Sequence, residues 1–251
     1  MLDGWLVVGR DAALTVLRDS RSFTVDDPRF STTQVVGESM LSTDGARHLR
    51  HRAPFVEALR SSATREDLER LTERTADELI AAFPAGGPVE LRTAYAGPLA
   101  AEVIARTVDL SGATTHEVLA WYRAIVADVE AIGTGAPISG AGHRAFSELS
   151  EVVEHTVGRS DTSFLVGALD TLSIDELSSN VAVLLFGAIE TVEGMITNLL
   201  HHLLTHPDQL EAVRRERRLL SNAIDESLRL EPAAATVHRY ATTDVPLGGS
   251  T

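Results

Sequence analysis

Residues 173–204, SIDELSSNVAVLLFGAIETVEGMITNLLHHLL, form the stretch that decides the fold. Ser173 followed by Glu176 is a capping box, so a helix is predicted to begin here. No proline interrupts the pattern before Pro207, and at 1.5 Å per residue such a helix would span about 45 Å. Its middle, VAVLLFGAI, is apolar on every side and is shorter than the roughly 20 residues that a membrane span needs. The stretch therefore predicts a central helix surrounded by other helices.

A carboxylate and a hydroxyl follow directly after this apolar middle, at Glu190 and Thr191. We expect the neighbouring elements to bury both side chains. A buried charge is costly unless another group pairs with it or uses it. The two residues are therefore the first candidates for a functional site.

The charge balance limits the partners that this chain can have. It carries 36 acidic and 22 basic residues, for a formal net charge of -14. Nucleic acids and anionic membrane surfaces both attract Lys and Arg, so neither is an expected partner. The 251 residues contain no cysteine, so none of them supplies a thiolate ligand or nucleophile. No basic start followed by an apolar run opens the sequence, and a cytoplasmic protein is expected.

Helical patterns cover most of the chain, and the expected strands are short. GWLVVG at residues 4–9 is predicted to be a strand, and residues 22–42 a loop region. The tail from residue 236 alternates as a strand or hairpin would, and it ends in a turn signal at residues 248–251. Helices are predicted over residues 10–18, 43–59, 64–83, 91–107, 114–132, 142–158, 161–170, from 207, and over 222–230.

Three motifs occur in a fixed order. DGARHLRHR (44–52) resembles the C-helix signature D-x-x-x-H-x-R-x-R, GAIET (187–191) the I-helix motif [AG]-G-x-[DE]-T, and ESLR (226–229) the K-helix motif E-x-x-R. All three are motifs of the bacterial cytochrome P450 family, the haem-thiolate monooxygenases, and the resemblance extends over essentially the whole chain. It implies a mainly α fold, with a long central I-helix and short peripheral β-strands.

The resemblance also indicates what these residues lack. The family continues well beyond the glycine pair of the tail, into the cysteine loop that ligates the iron. We therefore expect residues 1–251 to form a single, incomplete P450-like domain whose C-terminal part is missing.

The resemblance assigns roles to several side chains. In the family, the residues that match His48, Arg52 and Arg239 hold haem propionates, a task for which Arg is well suited. The alternative is a solvated basic helix start and one strand arginine. Glu190 and Thr191 match the acid–alcohol pair that delivers protons to iron-bound dioxygen. The alternatives are a groove feature satisfied by hydrogen bonds, or acid–base chemistry of Glu190 on another ligand.

Two other polar groups are expected to be structural. Glu226 and Arg229 lie three residues apart on one helix face and can pair. His201, His202 and His206 share helical spacing, but no acidic ligand is expected beside them, so no metal site is predicted. The family cofactor is haem b. We expect no cofactor for this chain alone, since a thiolate is absent and His48 and His238 would lie beside the propionates.

Three hypotheses for function follow from the resemblance. The first is an auxiliary role in a biosynthetic pathway, through a protein partner or a homodimer, as in cysteine-lacking relatives that activate a sugar transferase. The second is a haem-independent cyclase or isomerase that binds a hydrophobic small molecule and uses Glu190. The third is a fragment of an ordinary haem-dependent monooxygenase. The three hypotheses differ in whether the chain is itself an enzyme.

Overall fold

The predicted long helix is present and runs from Ile174 to Thr205 (α9). Its capping box is confirmed, because the Ser173 hydroxyl accepts the Glu176 N–H at 3.2 Å and the Glu176 carboxylate accepts the Ser173 N–H at 2.9 Å. The computed structural model describes residues 4–59, 62–110, 112–159 and 163–247.

Helices dominate the part of the chain that the structure describes, which confirms the mainly α fold. A π-helical turn at Arg92–Ala96 precedes the helix that begins at Gly97, and two strands of two residues each are the peripheral strands. The elements besides α9 are α1 (Arg10–Arg18), β1 (Phe23–Thr24), α2 (Ser31–Val36), α3 (Gly45–Leu59), α4 (Ser62–Ala81), α5 (Gly97–Thr107), α6 (Thr115–Thr134), α7 (Ala141–Arg159), α8 (Phe164–Ala168), α10 (Pro207–Arg215), α11 (Leu219–Leu230) and β2 (Tyr240–Ala241).

The core forms around the first half of α9. This helix packs against α5, α6, α7, α10, α11 and the π-helical turn. Every residue from 177 to 183 is buried, including three consecutive polar ones. Each fully buried aliphatic side chain contributes about 1.5–3 kcal/mol relative to exposure. The enclosing helices therefore stabilise this half of α9 most strongly.

The second half of α9 is less enclosed than the first. From Phe186 onward buried, half-buried and exposed residues alternate, and Val192 and Leu204 are exposed. By length and composition the whole helix could cross a membrane, a test that central helices of water-soluble proteins also pass. Its contacts with six other elements mark α9 as a core helix.

The strand prediction for residues 4–9 is wrong. Residues 5–8 are irregular, and Trp5 and Val8 are more than four-fifths exposed. β-forming residues make a strand only where another strand supplies hydrogen bonds, and the described part of the chain supplies none to this segment.

Three other predictions are corrected or narrowed. The region taken as a loop contains β1 and α2. The tail strand exists as β2, which pairs antiparallel with β1 (Phe23 opposite Ala241) and so joins the two ends of the chain. The helix expected over residues 161–170 is α8. Residues 160–162 and the turn signal at 248–251 lie outside the described residues.

Candidate functional site

The haem-edge candidates lie near the start of α3. Asp44, just before α3, accepts the Thr24 hydroxyl at 2.6 Å and the Val25 N–H at 3.0 Å, which attaches this end of α3 to β1. Burial alone would raise the pKa of Asp44, but these hydrogen bonds lower it, and Arg239 adds to that lowering. The charge of Arg239 therefore acts on the carboxylate that precedes α3.

The three predicted propionate ligands differ in how firmly they are held. His48 is half-buried, and its Nδ1 lies 2.7 Å from the Met40 carbonyl oxygen. Arg52 is exposed, and Arg239 is exposed and donates only to the carbonyl of His238, at 2.7 Å. These cationic and N–H donors suit the carboxylates of a haem edge. None of the 251 residues is a cysteine that could supply the thiolate ligand of the haem iron. His48, Arg52 and Arg239 therefore fit the propionate edge of a haem, but no residue fits the thiolate position at its iron.

The acid–alcohol pair is not buried as predicted. Glu190 is exposed, and the hydroxyl of half-buried Thr191 donates to the Gly187 carbonyl at 2.6 Å within the same helix. The expectation was wrong because after Phe186 only some positions of α9, such as Ile189 and Glu193, are buried, and Glu190 is not one of them. The oxygen-delivering role of this pair stays a prediction.

The buried carboxylate of α9 is Glu193, which sequence reasoning missed. Its side chain is 6% exposed, and Arg92 Nε donates to its Oε1 at 2.5 Å. Gly97 lies close by, since a Cβ there would be 3.5 Å from the Glu193 carboxylate. Burial, followed by the charges of Glu190 and Glu193, raises the pKa of Tyr122. This cluster ties the π-helical turn and α5 to the middle of α9.

Glu226 and Arg229 do pair. Arg229 Nε and Nη2 donate to the two carboxylate oxygens at 2.8 and 2.7 Å, which lowers the pKa of Glu226. Both side chains are more than half exposed. The pair stabilises the last turns of α11.

The histidine-rich end of α9 has an acidic neighbour that the sequence did not predict. His202 lies 3.1 Å from the Ser227 hydroxyl through Nδ1 and 3.3 Å from Glu231 Oε2 through Nε2. Ser227 is 2% exposed, so it is closed to a substrate. His206 contacts the His202 carbonyl instead of joining a shared ligand position. The group acts as a contact between α9 and α11.

A polar group at the other end of α9, at its first turn, also escaped sequence reasoning. Ligand atoms of Glu38, His51 and Glu176 lie within 4.8 Å of one another, and His51 is fully buried. This geometry could hold a metal ion, but both carboxylates already pair with guanidinium groups. Arg47 pairs with Glu38, and Arg50 with Glu176.

The Arg50 contact has a clear electrostatic effect. Arg50 Nη1 donates to Glu176 Oε2 at 2.9 Å and to the Thr171 carbonyl at 2.9 Å. The hydrogen bond from Arg50 lowers the pKa of Glu176 to about 2. Sequence signals for this group existed: His51 lies in the basic C-helix motif, and Glu176 is the capping-box acid. Neither signal indicated that the two would meet.

The fold and the ordered motifs together define a P450-type helical protein. The cytochrome P450 sequence family matches residues 164–251. The chain is 29% identical over 264 residues to the cytochrome P450 monooxygenase PikC of Streptomyces venezuelae, covering 98% of this chain and 61% of that protein. It is 28% identical over 242 residues to the vitamin D(3) 25-hydroxylase of Pseudonocardia autotrophica, covering 93% of this chain and 59% of that one.

Solved structures agree with the sequence comparisons. CxnD, the cytochrome P450 enzyme for C–S bond formation in chuangxinmycin biosynthesis, superposes with a TM-score of 0.80 at 26% identity, covering 97% of this chain and 63% of CxnD. The chain belongs to the cytochrome P450 family. It spans about 60% of the length of the curated relatives that it matches.

Replacing Glu193 and Glu190 separately by Gln tests which carboxylate α9 depends on. Glu193→Gln weakens a charged hydrogen bond inside the fold, and we expect a loss of about 1–3 kcal/mol in the free energy of unfolding. Glu190→Gln is the matched control one turn away and should leave that free energy nearly unchanged. Urea unfolding of both variants measures this, and equal losses would refute the assignment.

Glu176→Gln tests the Arg50 contact through pH. Because the folded-state pKa of Glu176 is lowered to about 2 from an ordinary 4.5, the ionised side chain stabilises the fold at neutral pH, and this is lost as pH falls through that interval. We expect the variant to lose about 1–2 kcal/mol at about pH 7, less at lower pH, and little once the pH has fallen to about 2. Glu226→Gln, in an exposed pair, should change stability less, and a pH-independent loss at Glu176 would contradict the mechanism.

Proposed function

We propose that this chain is an auxiliary, partner-binding member of the P450 family in a bacterial natural-product pathway, acting in the cytoplasm. On this proposal its 251 residues do not oxygenate a substrate by themselves. The observation that carries the proposal is the incomplete enclosure of α9, whose acid–alcohol motif lies on an accessible part of the helix.

Exposed apolar side chains support a protein partner. Five aliphatic residues on two helices that pack together are between 40% and 60% exposed. We call them the α9–α11 surface: Val192, Leu204, Ile224, Leu228 and Leu230. Exposed apolar residues mark protein interaction sites when they form a contiguous patch, and two helices that pack together carry all five residues. A polypeptide with an apolar contact area is therefore the expected partner.

A neighbour in fold shows that such proteins can bind other proteins. P450BioI, which superposes with a TM-score of 0.79 at 23% identity, has been crystallised in complex with an acyl carrier protein ligated to hexadec-9Z-enoic acid. That likeness concerns the fold alone. The partner proposed for this chain is therefore described only as a polypeptide with an apolar contact area.

The position of Glu190 supports a partner-binding role over a haem-independent enzyme. An acid–base group works best in a site that excludes water, and Glu190 is exposed. The Thr191 hydroxyl is committed to its own helix. Among the described residues, neither side chain is enclosed as a site that excludes water would require.

The proposal is tested on the purified 251-residue chain in two steps. Added hemin should produce no stoichiometric thiolate-type Soret band, since no residue can supply the sulfur ligand. Proteins encoded beside its gene are then co-expressed with it, and sedimentation velocity should show a defined complex or a homodimer.

Leu228→Asp should weaken that complex at least about tenfold, because it places a charge in an apolar interface. Leu17→Asp is the matched control, since Leu17 is a similarly exposed leucine on α1, outside the α9–α11 surface. A monomer with no partner, or a chain that binds haem and oxygenates alone, would overturn the proposal.

The comparisons favour one second candidate, namely that these residues are the distal part of an ordinary haem-dependent monooxygenase. The supporting observation is that 98% of this chain matches only 61% of PikC. Reading the nucleotides that follow codon 251 distinguishes the two candidates. An in-frame cysteine loop supports the second candidate, and a stop codon supports the auxiliary role.

A further inference from the structure

Asn180 makes more contacts than its place in an apolar helix would suggest. The residue is fully buried in the enclosed half of α9. Its Oδ1 accepts the Met40 N–H at 2.8 Å, and its Nδ2 donates to the Glu176 carbonyl at 2.6 Å. Nδ2 also lies 2.8 Å from Nδ1 of His51. One amide group therefore contacts three segments of the chain.

These contacts fix which way the amide points. A backbone N–H can only donate and a backbone carbonyl can only accept. With Oδ1 toward Met40 and Nδ2 toward Glu176, the remaining N–H of Asn180 faces the His51 ring. Turning the amide over would lose both backbone hydrogen bonds inside the core, where unpaired polar groups are costly.

The orientation of Asn180 in turn fixes the proton on His51. Since Nδ1 of His51 faces a donor, it must accept, and the neutral ring then carries its proton on Nε2. Nε2 lies 3.3 Å from Glu38 Oε1, which can accept that proton, and 3.6 Å from Glu176 Oε1, which is beyond hydrogen-bond distance. Arg50 Nη2, at 3.1 Å from Nε2, would favour the other tautomer. Arg50 Nη2 makes a shorter hydrogen bond to Glu176 Oε1 than its contact with His51. The Asn180 contacts therefore determine the tautomer of His51.

The Met40 peptide extends this network to a predicted haem-edge residue. Its N–H is held by Asn180, and its carbonyl lies 2.7 Å from Nδ1 of His48. His48 and His51 are both on α3, whereas Asn180 is on α9. The position of His48 thus depends on a residue more than a hundred positions away in sequence.

We infer that Asn180 is a positioning residue, which holds His51 as the Nε2–H tautomer, fixes the turn that carries Met40, and so sets where α3 presents His48. A protonated Nε2 has no lone pair for a metal ion. The Glu38–His51–Glu176 group is therefore closed to divalent cations while Asn180 is in place.

The wild-type chain provides the first test. Long-range proton–nitrogen NMR of the 15N-labelled protein near neutral pH should show a pyrrole-type Nε2 and a pyridine-type Nδ1 for His51. Addition of zinc chloride should leave both nitrogen shifts unchanged. A pyridine-type Nε2, or a zinc-induced change at His51, would overturn the inference without any variant.

Substitutions then separate positioning from general stability. In Asn180→Ala, the Nδ1–H of His48 should exchange with water at least about tenfold faster, because the Met40 peptide is no longer held. Asn198→Ala is the matched control, since Asn198 is also an asparagine on α9 with a side-chain bond to a carbonyl, that of Glu231, at 2.8 Å. Equal effects on His48 in the two variants would show that Asn180 does not specifically position His48.

Asn180→Asp tests the tautomer lock directly. The carboxylate offers His51 an acceptor in place of a donor, so the proton should move to Nδ1 and free Nε2. Zinc affinity should then rise by at least about tenfold over the wild type. A folded Asn180→Asp protein that retains the Nε2–H tautomer would refute the lock. If this variant does not fold, the wild-type spectrum decides the question.

Discussion

A helix that is buried on every side carries polar side chains at low cost only where they find hydrogen-bond partners. In the first half of α9, Ser178, Ser179 and Asn180 follow one another inside the core, and the last two find such partners, whereas the Ser178 hydroxyl has none among the described residues. Ser179 donates to the Val36 carbonyl at 2.5 Å, and Asn180 holds the Met40 peptide and His51. The loop after α2 and the start of α3 are therefore placed by the polar groups of α9 as much as by apolar packing.

The sequence alone predicted the structural features that depend on residues close together in the chain. The capping box at Ser173 and Glu176, the length of α9 and the pairing of Glu226 with Arg229 all depend on residues a few positions apart, and all three are present. The strand prediction for residues 4–9 failed because a strand needs a second strand to pair with, and β propensity alone does not provide one. The short helix α2 lacks a full hydrophobic period, so it could not be distinguished from a loop.

The polar contacts around α9 could not be predicted either, because they join residues that are far apart in the sequence. Asn180 and His51 are 129 positions apart, and Glu193 and Arg92 are 101 apart. Neither pairing leaves a periodic trace in a single sequence. A buried polar residue within an apolar run indicates only that some partner exists. The family resemblance assigned roles to His48, Arg52 and Arg239 that the residues alone did not suggest, and these roles stay predictions.

Glu190 and Glu193 show how strongly position on one helix decides the role of a carboxylate. They are three residues apart, yet Glu190 is exposed and Glu193 is buried against a guanidinium group. A buried charge with a partner is costly to disturb, whereas an exposed one is nearly free to change. The burial that made Glu190 a candidate for chemistry belongs instead to Glu193, whose partner on the π-helical turn gives it a structural task. If Glu190 takes part in chemistry, another surface must cover it, and the two candidate functions differ in whether that surface belongs to a partner protein or to a longer polypeptide.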